Sequence, residues 1–133
     1  ARARLIPEVE CLPNMPFDQL LEYYSETNVM VSASRSDPMP ISITQGLMFA
    51  KACLCSSCIG HAELLENGVN ALIFKNESAQ ELGEKMTWIL QNPDALPLLG
   101  ASGRKVYESH FLMTSFADNV GNLIRGLGLK PPS

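Results

Sequence analysis

At 133 residues, with 46% hydrophobic and 18% charged side chains and a formal net charge of −4, the sequence has the balance of an ordinary folded domain. A globule of this length buries roughly two thirds of the surface its unfolded chain exposes, which excludes disorder as the main reading. Mild acidity supplies no basic stripe for nucleic acid, no apolar run approaches the roughly 18 residues of a spanning helix, and the opening Ala1–Pro7 lacks the apolar stretch of a signal peptide, so a cytoplasmic protein is expected.

Val9-Glu10-Cys11-Leu12, closed by Pro13-Asn14, reads as a first short strand. Phe17, Leu20, Leu21 and Tyr24 then recur at helical spacing, and Val29–Ser34 is a continuous apolar run suited to a strand buried on both faces. From Pro38 to Lys51, apolar residues follow one helical face with prolines confined to the first turn, where a missing N–H costs little. Ala52–Ser56 predicts a third strand, followed by a loop through Gly60, a brief helix over 62–66 and a turn at Asn67-Gly68. Ala71–Phe74 predicts a fourth strand, and Ser78 with Glu81 forms a capping box for a helix reaching Leu90. Helices over 94–109 and 112–126 complete the pattern. One domain over 1–127 and a tail over 128–133 are expected. Strands alternating with helices predict α/β architecture: a partial Rossmann-like parallel sheet of about four strands with flanking helices and a helical C-terminus.

Ligands of open α/β sheets bind where strands end and helices begin, and a helix start offers unpaired N–H groups and positive partial charge. Ser34 to Gln45 occupies such a place, with Asp37 expected as the helix cap and Gln45 about two turns inside. Cys53, Cys55, Cys58 and His61 form a candidate zinc set, but Cys53 and Cys55 alternate with apolar residues on a strand and read better as small core hydrophobes; no metal is expected. No G-x-S-x-G, Walker or H-E-x-x-H string occurs, which removes support for hydrolase and ATPase readings. Packing is the expectation for Trp88 and His110. The amphipathic face of Phe116, Val120 and Leu123-Ile124 lacks a lysine-rich flank, so it is expected to pack in the core or against a further domain, although contact with the inner face of a membrane stays open.

Ser34, Asp37, seven residues and Gln45, then Cys53-Leu54-Cys55-Ser56-Ser57, Gly60-His61-Ala62-Glu63 and Glu66-Asn67-Gly68 before Ala71–Phe74, follow one another in a fairly specific order. In this order the chain resembles the nucleotide-sugar-binding C-terminal domain of group 1 glycosyltransferases, retaining enzymes of the GT-B fold. The resemblance implies that Asp37 lies near the donor sugar, as the residue placed for catalysis. It further implies that the N–H groups of Met39 and Ile41, with Ser42 beside them, hold the diphosphate and that Gln45 binds the ribose. Glu63 matches the family's loop glutamate, and His61 is placed to touch the sugar or phosphate, unless it is a surface-loop histidine. Three positions depart from the family's pattern: Asp37 and Gln45 stand where it has glutamates, and Pro40 stands where it has glycine and offers no N–H.

The resemblance implies a nucleotide-sugar as substrate, no cofactor, and a parent enzyme that passes the sugar to a glycan or lipid-linked acceptor held by a further N-terminal domain. The alternative is a non-catalytic remnant serving as an interaction or assembly module, for which a homodimer formed through an open sheet edge is the natural partner.

Overall fold

The computed structural model describes residues 7–128. Helix α1 (Phe17–Glu26) leads into strand β1 (Val29–Ser32), helix α2 (Ile41–Met48), strand β2 (Ala52–Ser56) and strand β3 (Leu72–Phe74), followed by helices α3 (Ala79–Gln91), α4 (Leu96–His110) and α5 (Met113–Gly126). The three strands form one parallel sheet in the order β1-β2-β3, with Val29 opposite Ala52 and Leu54 opposite Leu72.

The central strand explains the layers. Every residue of β2 is buried, and its side chains alternate between two cores, as the period of two in a strand requires. Cys53 and Cys55 join Ile43 and Leu47 of α2, with Val106 and Tyr107 of α4 packed against them. Ala52 and Leu54 join Leu72, Phe74 and Leu99, covered by Leu82 and Ile89 of α3. Gly100 makes the close approach of α4 possible, since a Cβ there would overlap the carbonyl of Ala50. Arg104 then extends across to donate to the Met48 carbonyl and to Glu108, 2.8 Å away.

The structure departs from the pattern read in the sequence at four places. Val9–Leu12 is exposed and has no strand pairing, so the sheet among the described residues has three strands instead of four. An extended segment needs a neighbouring strand to satisfy its backbone, and apolar composition does not supply one. Helix α2 begins at Ile41, three residues after the predicted start, because Asp37 and Met39 each precede a proline and are steered away from helical ψ. The brief helix over 62–66 is a single 3-10 turn, Gly60–Glu63. At α3, Ser78 accepts from the Glu81 N–H as predicted, but the Glu81 carboxylate reaches past Ser78 to accept from the Lys75 N–H at 2.7 Å. Most of the predicted tail, 129–133, lies outside the described residues.

Candidate functional site

The carboxyl ends of the three strands face one side of the sheet, and the loops leaving them are joined to one another. The Ser56 hydroxyl donates to the Ser34 carbonyl at 2.6 Å, binding the loop after β1 to the end of β2. Asn76, after β3, donates through Nδ2 to the Arg35 carbonyl at 3.0 Å, and its N–H donates to Ser57 Oγ at 3.1 Å. Asp37 and Ile59 pair as an isolated parallel bridge, in which the Gly60 N–H donates to the Asp37 carbonyl at 3.1 Å. Only glycine fits at position 60, because a Cβ would overlap the carbonyl oxygen of Pro38. Between these loops opens a cleft of about 610 Å³ whose walls include Arg35, Asp37, Ser57, Cys58, Gly60 and Glu63.

Asp37 does not cap α2. Its Oδ1 accepts from the Met39 N–H at 2.9 Å, folding the segment into an Asx turn, and the capping position belongs to Pro40, which has no side-chain cap bond. The Met39 N–H is thereby already engaged, contrary to the role the resemblance implied for it. Ile43 and Thr44 donate to the Pro40 carbonyl, so the N–H groups of Ile41 and Ser42 are the two that open α2 without an intrahelical acceptor. Gln45 follows one turn later, half-buried. The structure therefore gathers Asp37 and Glu63 on the cleft itself, while Ile41, Ser42 and Gln45 lie on the helix that leads away from its rim.

His61 was expected within reach of a ligand or on the surface, and it is in neither position. Its imidazole is wholly buried, with Nε2 2.8 Å from Thr44 Oγ1 and its ring 5.4 Å from that of Phe111. Burial pushes its pKa below the ordinary value, against a smaller upward pull from the Asp37 carboxylate. A ring with no exposed surface offers no atom to a ligand in this conformation.

The cysteines divide. Cys53 and Cys55 are core residues whose thiols burial pushes up to about 12 and about 11, whereas Cys58 is exposed on the cleft wall. Among the described residues no three or more His, Cys, Asp or Glu side chains stand close enough to hold a metal ion. Trp88 and His110, expected to pack, are exposed, and α5 buries none of its residues. Arg35, Asn76 and Thr44 were not singled out in the sequence. Arg35 lies in the Ser34–Gln45 segment already marked by its place at a strand end, but Asn76 and Thr44 act through residues 41 and 17 positions away, and no local pattern signals that.

The parallel three-stranded sheet flanked by helices matches part of the fold of GT-B glycosyltransferase structures. The chain belongs to the Glycosyl transferases group 1, whose family profile matches residues 1–106. It is 22% identical over 100 residues to an uncharacterised glycosyltransferase of Methanocaldococcus jannaschii, covering 75% of this chain and 28% of that protein. Among solved structures it resembles a sucrose-phosphate synthase from Thermosynechococcus elongatus, with a TM-score of 0.76 and 23% identity over 87% of this chain and 29% of that one. It also resembles Anabaena HepE in complex with UDP, with a TM-score of 0.71 and 14% identity over 79% of this chain and 29% of HepE. This chain thus spans less than a third of the length of each of these relatives.

Proposed function

We propose that this chain is the donor-binding part of a glycosyltransferase that moves a sugar from a nucleotide-sugar to a glycan or lipid-linked acceptor with retention of configuration. The observation that carries the reading is the placement of the Asp37 turn on the cleft at the strand ends, directly before a helix whose first two N–H groups have no intrahelical partner. In this reading the diphosphate lies against the N–H groups of Ile41 and Ser42, where unpaired donors and the helix dipole favour negative charge. The sugar enters the cleft towards Asp37, and Gln45 offers its amide to the ribose. Arg35 is the cationic group on the cleft wall; its surface pairing with Glu77 at 3.2 Å is weak enough to exchange for a phosphate oxygen. The UDP complex of the HepE structure is consistent with such a donor. The acceptor is held by a part of the parent enzyme outside this chain.

Calorimetric titration of the chain with UDP-sugars and their GDP and ADP counterparts tests the reading. Saturable binding that Gln45→Ala weakens roughly tenfold, the worth of one polar contact, supports it. Equal binding by the wild-type chain and a Ser42→Pro, Gln45→Ala double variant that remains folded contradicts the placement.

The second reading, an assembly module, draws on one observation: Met113, Phe116, Leu123 and Leu127 are each more than half exposed and share a stripe along α5. Sedimentation equilibrium decides it, since a strictly monomeric chain that binds nucleotide-sugar is incompatible with that role.

A further inference from the structure

We propose that His61 is a positioning residue, which with Thr44 locks the loop after β2 onto α2 and thereby holds the Asp37 turn in place without touching the donor. The inference rests on the reading of the Asp37 turn as part of the donor site.

Three observations carry it. The Thr44 Oγ1 to His61 Nε2 contact, 2.8 Å long, is a side-chain bond between the helix that carries Gln45 and the 3-10 turn that begins at Gly60. Gly60, covalently next to His61, donates its N–H to the Asp37 carbonyl and lies so close under Pro38 that no side chain fits between them. Any movement of the 3-10 turn is therefore transmitted through the backbone to Asp37, whose carboxylate in turn fixes the Met39 N–H.

The third observation is the cost of the arrangement. Among the described residues His61 Nδ1 is buried without a partner, and an unsatisfied buried polar atom is unfavourable. An apolar side chain beside Phe111 would carry no such unpaired atom, so packing alone does not account for a histidine here. A hydrogen bond of defined direction does. The less costly tautomer carries its proton on Nε2, donates it to Thr44 Oγ1 and leaves Nδ1 as a bare acceptor instead of an unpaired N–H.

The test uses the full 133-residue chain and the variants Thr44→Val, which removes the hydroxyl and keeps the shape, and Thr44→Ser, which restores it. Amide hydrogen exchange is read without ligand, with α3 as internal reference. In Thr44→Val the Met39 and Gly60 amides should exchange about tenfold faster, with α3 unchanged, and Thr44→Ser should return them to the wild-type rate. Unchanged exchange at both amides in a folded Thr44→Val chain overturns the lock. Nucleotide-sugar binding is measured in parallel. If the wild-type chain binds and Thr44→Val binds equally well, the positioning role fails and the donor reading stands. If the wild-type chain binds no nucleotide-sugar, the donor reading fails and the positioning role with it, whatever the exchange rates show. A loss of affinity in Thr44→Val that Thr44→Ser restores supports the proposal, and His61→Gln, which keeps a polar group at the Nε2 position, should fall between the two.

Discussion

Each close contact around the cleft turns on one residue type. Replacing Gly60 by alanine drives a Cβ into the Pro38 carbonyl and should destabilise the chain by about 2 kcal/mol, seen as a lower Tm. The same change at Gly83, on an exposed face of α3 with open space around it, should stabilise by about 1 kcal/mol. His61 gives a pH signature of definite sign. Its folded-state pKa lies below the ordinary 6.5 because burial disfavours the imidazolium more than Asp37 favours it. The unfolded chain therefore takes up the proton first, and stability should fall as pH drops through 6.5 towards the folded-state value, with the loss fading out at pH well above 6.5. Denaturant titrations at a series of pH values should show that slope in the wild type and a shallower one in His61→Gln. The four cysteines should also separate: alkylation of the native chain at mildly alkaline pH, read by mass spectrometry, should modify Cys11 and Cys58 and spare Cys53 and Cys55, which are buried with raised pKa values. Local sequence made part of this visible. Asp37 could be placed between a strand end and a helix start from its neighbours alone, though as the helix cap and not in the Asx turn it forms, whereas the burial of His61 depends on Thr44 and Phe111, which only the folded chain brings to it.

At the scale of elements, periodicity was a reliable guide wherever both partners of an interface lie within the described chain. Strands β1, β2 and β3 and all five helices fall within a few residues of their predicted spans. Two of the failures share a cause. Among the described residues, Val9–Leu12 has strand composition but no neighbour to pair with, and α5 has an apolar stripe but little of the molecule lies opposite it. Both are tertiary facts that composition does not encode. Capping, by contrast, is local. Removing the Ser78 hydroxyl by substitution with alanine should cost about 1 kcal/mol, visible as a lower denaturant midpoint, because it leaves the Glu81 N–H without its acceptor.

At the scale of the whole molecule, the three parallel strands bring loops that are distant in sequence to one face and leave a second, smaller cleft of about 370 Å³ at the opposite end of the sheet, bordered by Thr27, Lys51 and Pro93. Family membership concerns transfer chemistry, but which face of the molecule takes the donor is a geometric claim about this chain. Backbone NMR titration with UDP, GDP and ADP and their sugar conjugates tests it most directly. Saturable shifts should be confined to Asp37, Ile41, Ser42, Gln45 and the loop residues lining the cleft at the strand carboxyl ends. No shifts at millimolar ligand, or shifts centred on Thr27, Lys51 and Pro93, would contradict a donor site at the Asp37 turn.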